Sequence, residues 1–199
     1  MNVDKNTFLK INLKSLSDNY KTIKKKVRDK CIVAATVKAN AYGLGVRKVV
    51  PTLIKSGCQF FFVATTNEAI ELRKINKKIS IYILNGLVVK DLELINQYNL
   101  IPIINNITQL KKIEKYQSQH KLQIKIALHF DTGMSRLGFD KLETKYILKN
   151  KSKLIKNSEI QLIMSHLACA DDKKSKKNKS QLAKFKKLKD YFPNALFSL

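Results

Sequence analysis

At 199 residues, with 44 % hydrophobic and 27 % charged positions, the chain is long enough to bury a core and has the balance of an ordinary globular protein. Six Gly and three Pro exclude a collagen-like or flexible low-complexity chain, and no apolar run approaches the ~18–20 residues that span a bilayer. The net charge of +24 invites a nucleic-acid or anionic-surface reading, yet 35 of the 39 basic residues are Lys and only four are Arg. Arg supplies the bidentate fork and the stacking used to read phosphates and bases. The Lys runs, such as Lys24–Lys26 and Lys173–Lys179, are instead spread along the whole chain without interleaved aromatics. A solvated surface with no specific nucleic-acid partner is the simpler reading.

The N-terminus, MNVDKNTFLKINLKS, lacks the apolar core of a secretory signal. Cys31, Cys58 and Cys169 are widely spaced and form no CxxC or Cys/His cluster, so they support neither a disulfide framework nor a metal site. Their apolar neighbours read as the surroundings of small buried residues. A cytoplasmic protein without membrane attachment is expected.

In chain order, a strand-like segment at Phe8–Leu13 precedes a helix at Leu16–Val27. Apolar, β-branched runs then occur at Cys31–Ala39, Phe60–Thr66, Ile79–Leu84, Leu100–Asn105, Gln123–Phe130, Glu159–His166 and Ala195–Leu199. Helix-like stretches separate them at Val46–Ser56, Asn67–Asn76, Lys90–Gln97, Thr108–Ser118, Lys141–Asn150 and Ser175–Tyr191. The runs show no regular polar alternation, so they read as strands buried on both faces. Seven such strands alternating with helices predict a parallel α/β sheet. The first strand is not followed by a Gly-rich dinucleotide fingerprint, which favours a (β/α)8 TIM-type barrel over a doubly wound sheet. Closure takes eight strands, so the barrel is expected to be incomplete, with apolar edge strands left open. The expected organisation is residues 1–30 as a lead-in strand and helix, and 31–199 as the barrel domain.

Functional residues of such barrels sit at the C-terminal ends of strands. Those ends read Lys38-Ala39-Asn40-Ala41-Tyr42-Gly43 after the first strand and Asn85-Gly86 after the third. The fifth strand runs into His129-Phe130-Asp131-Thr132-Gly133-Met134-Ser135-Arg136-Leu137-Gly138, and the sixth into Ser165-His166-Leu167-Ala168-Cys169-Ala170-Asp171. Lys38 ends an apolar strand, where its amine would face a confined mouth, a setting that suits imine formation with an aldehyde. Tyr42 could equally be a packing residue, Arg136 a surface partner of Asp131, and His166 a satisfied strand-end histidine. His120, in a polar segment, reads as exposed.

Three of these stretches resemble the signature motifs of the alanine racemase family, in the same order and at similar spacings: Val37–Gly45, Asp131–Gly138 and Ser165–Asp171. The resemblance runs from about Phe8 to Leu199. It implies a pyridoxal-phosphate enzyme that interconverts L- and D-alanine through a Schiff base on Lys38, in bacteria for peptidoglycan. Lys38 would be the catalytic base on the D-alanine face. Tyr42 would bind the cofactor phosphate, Arg136 would serve cofactor and substrate carboxylate, and His166 would lie near the cofactor ring. A homodimer is the family's expected assembly, and no metal is implied.

Two departures stand out. Many relatives carry a carbamylated lysine two positions before the Asp-Thr-Gly motif, where this chain has His129. An imidazole cannot form that carbamate, so Arg136 would need another partner, a bound anion or a neutral His129. Relatives also continue past the seventh strand into a β-rich domain that supplies the second proton carrier across the dimer, so this chain would carry one face of the site. Two other classes compete: a noncatalytic pyridoxal-phosphate-binding remnant, and a basic nucleic-acid-binding protein whose affinity would fall steeply with salt. A racemase for serine or another small amino acid also fits.

Overall fold

The computed structural model describes residues 8–27 and 31–199. Residues 1–7, part of the stretch read for a secretory signal, lie outside the described residues, as do residues 28–30 at the expected lead-in boundary. Seven strands form one sheet: β1 (Ala35–Thr36), β2 (Phe60–Val63), β3 (Ser80–Ile83), β4 (Ile101–Ile104), β5 (Lys125–His129), β6 (Glu159–Met164) and β7 (Leu196–Ser198). They lie side by side in chain order, every neighbouring pair parallel. The helices between them are α3 (Val46–Lys55), α4 (Thr66–Ile75), α5 (Leu92–Gln97), α6 (Ile107–His120), α7 (Lys141–Lys149), α8 (Lys151–Leu154) and α9 (Lys176–Lys186). A one-turn segment, α2 (Lys38–Tyr42), follows β1, and α1 (Leu13–Val27) precedes it. This is the α/β half-barrel that the alternation of strands and helices predicts.

Strand residues alternate between two faces, and here both faces are apolar. Phe61, Val63, Ile81, Ile83, Ile126, Leu128 and Ile163 belong to the large core between sheet and helices, together with Leu72, Ile95, Leu110 and Ile147. Their neighbours Phe60, Phe62, Tyr82, Ile101, Ile103, Ala127, Leu162 and Met164 form a second cluster on the concave face. Double-sided burial explains why the sequence shows continuous apolar runs. The α1 helix adds Tyr20 to the larger core and donates its hydroxyl to Val33 O at 3.1 Å.

The last run forms the edge strand β7 as expected, but the β1 side departs from the sequence reading. The first run shrinks to the two residues of β1, because only β2 is available to pair with it. No strand forms at Phe8–Leu13: residues 8–12 are irregular, α1 begins at Leu13, and Phe8 and Leu9 are largely exposed. Cys58 is buried as expected, but Cys31, in the segment before β1 beside an open edge, is exposed, and Cys169, in the loop after β6, is half-buried. A cavity of about 490 Å³ lies between β1 and β7, with Phe60, Phe62, Tyr82 and Leu162 from the concave face on its wall.

Candidate active site

At the C-terminal ends of the strands a second cavity of about 560 Å³ is lined by Lys38, Tyr42, Asn85, His129, Arg136, Ser165 and His166, over an apolar floor that includes Phe62, Leu84 and Met164. All four candidate site residues, Lys38, Tyr42, Arg136 and His166, therefore face one space. The formally charged side chains on its wall are Lys38 and Arg136, both cationic, and among the described residues no Asp or Glu lines it. The two histidines add no further charge at neutral pH. Burial, helped by Arg136 and Lys38, lowers the His166 pKa, and burial pushes His129 down to about 4. A space lined by two cationic side chains and no acidic side chain is complementary to anions.

Lys38 reaches the cavity by simple alternation. Ala35 packs outward, Thr36 lines the cavity, Val37 is buried outward and donates to Phe62 O at 2.8 Å, and Lys38 points back in. The backbone then turns left-handed for four residues in succession: φ is 51° at Ala39, 54° at Asn40, 55° at Ala41 and 54° at Tyr42. Each such non-glycine residue costs roughly 1–2 kcal/mol, so the turn persists only because its surroundings hold it. Ala41 N–H donates to Val37 O, Gly43 N–H to Ala39 O and Gly45 N–H to Asn40 O, each at 2.9 Å. Asn40 Oδ1 accepts from Val46 N–H at 2.9 Å at the start of α3, and Glu68 Oε1 accepts from Ala39 N–H at 2.8 Å. Tyr42 is one left-handed turn beyond the lysine and largely exposed at the rim.

On β5 the same alternation turns His129 into the concave face, where it is buried. Its Nδ1 lies 2.8 Å from Asn105 Oδ1. The Asn105 amide nitrogen donates to Leu84 O and Ile103 O, which leaves only its oxygen for the imidazole. The neutral ring therefore carries its proton on Nδ1 and keeps a lone pair on Nε2. Beyond it, Asp131 Oδ1 accepts from the N–H groups of Gly133, Met134 and Ser135 at 2.9, 2.9 and 3.0 Å. Burial alone would raise the Asp131 pKa, but these three donors outweigh it and hold the carboxyl below its ordinary value. The Asp131–Arg136 surface pair weighed from the sequence does not form. The carboxylate is used on the loop's own backbone, and the ion pair found among the described residues is Arg47–Glu71. Arg136 is left exposed at the cavity wall.

The loop closes where Phe139 N–H donates to His129 O at 2.7 Å and Asp131 N–H to Phe139 O at 2.9 Å. A Cβ on Gly138, whose φ is +103°, would come within 2.9 Å of both Asp131 N and His129 O. Only glycine lets the chain fold back so tightly over the histidine. The third motif is tied to this loop by buried polar contacts. Thr132 Oγ1 and Ser165 Oγ are 2.7 Å apart, and Gln181 Nε2 on α9 donates to Thr132 Oγ1 at 3.1 Å and His166 O at 2.9 Å. His120 is exposed, as expected, and stacks on Tyr116.

Comparison with known proteins matches residues 11–199 to the family described as alanine racemase, N-terminal domain. The chain belongs to that family. It is 40 % identical to an alanine racemase of Rickettsia typhi over 196 residues, covering 96 % of this chain and 47 % of that protein. It is 41 % identical to one of Rickettsia prowazekii, covering 94 % and 46 %. Among solved structures, alanine racemase from Bartonella henselae with covalently bound pyridoxal phosphate superimposes with a TM-score of 0.88 at 34 % identity, covering 94 % of this chain and 55 % of that one. A histidine racemase from Leuconostoc mesenteroides shares the fold at 23 % identity and a TM-score of 0.80. The chain spans about half the length of the curated relatives it matches.

Three residues that hydrogen-bond to the segments lining this racemase-family cavity were not singled out in the sequence. Glu68 carried a usable signal, since Thr65-x-x-Glu68 before an apolar stretch is a capping box. Gln181 shares the i, i+4, i+7 face of Phe185 and Leu188, all three buried, but the lysines around it mask that stripe. Asn105 ends an apolar strand and gives no local sign that it will meet a histidine 24 residues away.

Proposed function

We propose that this chain is the barrel part of an alanine racemase, binding pyridoxal phosphate on Lys38 and handling the α-proton of alanine from one face. The observation that carries the reading is the cavity's charge: Lys38 and Arg136 face it, both histidines are neutral, and among the described residues no Asp or Glu side chain opposes them. Such a wall suits a ligand that brings a phosphate and an amino-acid carboxylate. When bound, the cofactor supplies an aldehyde and an electron sink that acidifies the substrate's α-C–H.

The chain's own residues then have separable tasks. Lys38 Nζ, carried in by β1 and fixed by the left-handed turn, holds the cofactor and afterwards accepts and returns the α-proton on the D-alanine side. Tyr42, at the rim beside Lys38, offers its hydroxyl to the phosphate. Arg136 presents a planar set of donors to the carboxylate, for which a guanidinium is better matched than an ammonium. His166 lies within the field of Arg136 and Lys38 and stays uncharged, so it can border the cofactor ring without adding a third cation. His129 offers the Nε2 lone pair as a neutral acceptor on the same wall. The concave floor of Phe62, Leu84 and Met164 keeps water from the reacting centre. Residues 31–199 are read as this barrel domain and 1–30 as its lead-in; a homodimer, a cytoplasmic setting and supply of D-alanine for the cell wall extend the same proposal. Among the described residues no helix is long and apolar enough to cross a membrane.

The test is α-hydrogen exchange in D2O with added pyridoxal phosphate, read by proton NMR. D-Alanine should exchange about a hundredfold faster with this chain than with Lys38→Ala, and faster than L-alanine does. Equal rates for the chain and Lys38→Ala would overturn the catalytic reading. Cofactor uptake without exchange would favour the noncatalytic binding remnant.

A further inference from the structure

Glu68 is set where two strand ends meet. Its Oε1 accepts the Ala39 N–H at 2.8 Å, the amide immediately after Lys38, and its Oε2 accepts the Ala64 N–H at 2.7 Å and the Thr65 N–H at 3.4 Å. Its own N–H donates to Thr65 Oγ1 at 3.4 Å, which completes the capping box of α4. One carboxylate thus caps a helix after β2 and also grips the first residue of the left-handed turn after β1. The cap explains the contact to Thr65, with the adjoining Ala64 N–H joining it; it does not explain the contact to Ala39, 29 residues earlier in the chain.

The grip falls where the sheet gives least support. Only Ala35 and Thr36 of β1 pair as a strand with β2, and Val37 adds a single further bond to Phe62 O. Four left-handed residues then follow, a conformation that an L-chain leaves unless held. Asn40, on Val46 N–H, secures the far end of this turn. Glu68 secures the near end, at the peptide adjoining Lys38.

We propose that Glu68 is a positioning residue for Lys38: its carboxylate fixes the Lys38–Ala39 peptide and so the direction in which the Lys38 amine enters the cavity. The inference rests on the reading of Lys38 as the cofactor-bearing lysine. Both carboxylate oxygens are used, because Oε1 meets the Ala39 N–H while Oε2 meets the Ala64 and Thr65 N–H groups. A carboxamide offers one oxygen and turns an NH2 toward the other set, while Asp keeps the charge but is one methylene shorter.

The test is reductive trapping of pyridoxal phosphate with borohydride, followed by peptide mass mapping over all lysines, on the full chain and three variants. Thr65→Ala removes the cap of α4 but leaves the Ala39 contact, and should keep Lys38 labelling at the level of the unaltered chain. Glu68→Gln and Glu68→Asp should lower the label on Lys38 about tenfold relative to the mean of the other lysines, with Glu68→Asp melting close to Thr65→Ala. If Thr65→Ala lowers Lys38 labelling as much as the Glu68 variants, the role is helix capping alone and the proposal fails. Undiminished Lys38 labelling in both Glu68 variants also overturns it. Label scattered evenly in the unaltered chain would instead remove the reading of Lys38 itself, a different failure from the first two.

Discussion

The cavity joins two regions built in opposite ways. On the β5 side, His129 ends a five-residue strand with β4 and β6 on either flank, and its neighbours Ile126, Ala127 and Leu128 are completely buried. On the β1 side, Lys38 follows a two-residue edge strand with a single neighbour. The central region positions its residue by packing; the edge region does so by a strained turn and by backbone hydrogen bonds accepted by Asn40 and Glu68. The same barrel mouth therefore holds one group stiffly through the sheet and the other through a few polar contacts. Small changes in polarity should matter at the edge, and changes in volume at the centre.

The widest separation between the two regions should appear in core truncations. Leu128→Ala should cost about 2–5 kcal/mol of stability, whereas Leu196→Ala, on the partly exposed edge strand β7, should cost less than about 1 kcal/mol. Urea unfolding of both variants checks this, and equal losses would erase the distinction between centre and edge. Next is acid. Burial holds His129 at about 4 in the folded chain, against an ordinary value of 6.5. Between these values the unfolded chain binds the proton and the folded chain does not, so this contribution is complete above pH 6.5 and falls as pH drops toward 4. The total loss is about 3 kcal/mol. In His129→Gln that part of the acid sensitivity should vanish, which denaturation at pH 7 and pH 4 would reveal.

A smaller effect sharpens the picture of the β5 loop. Gly138→Ala forces a Cβ against the backbone at a φ of +103° and should cost about 1–3 kcal/mol, with the Asp131–Phe139 amides losing hydrogen-exchange protection first. Smallest is Arg136→Lys, which keeps the charge and loses the planar fork. It should weaken D-alanine use about tenfold, or about 1.4 kcal/mol, and leave cofactor attachment to Lys38 within about twofold. Equal loss of both would sink the assignment of Arg136 to the carboxylate.

What could be read from the sequence divides along the same line. The five inner strands were legible because double-sided burial writes continuous apolar runs. The last run, Ala195–Leu199, was legible too, as the edge strand β7. The β1 side was not: Cys31–Ala39 is as apolar as the other runs, yet pairing needs a neighbour that composition cannot reveal, and Phe8–Leu13 found none. Lys38, Tyr42, Arg136 and His166 were found through motifs at strand ends, and the fold brings them to one cavity. The left-handed turn was hidden, since Ala39-Asn40-Ala41-Tyr42 contains no glycine to announce a positive φ. The hydrogen bonding of the scarce acids was hidden too. In a chain with fifteen acidic residues among 39 basic ones, ion pairs with Lys would be the natural expectation. Glu68, Asp131, Glu114 and Glu143 instead accept from backbone N–H groups, anchoring loops in place of neutralising the surface. That preference follows from desolvation: a fixed amide beside a partly buried carboxylate is a better partner than a solvated ammonium.

The central claim is that the edge-held Lys38, among 35 lysines, is the one that takes the cofactor. It is tested most directly by incubating the unaltered chain with pyridoxal phosphate, reducing with borohydride and mapping the label by peptide mass. The account predicts label concentrated on Lys38 over every other lysine. Label spread evenly over the surface lysines would contradict it.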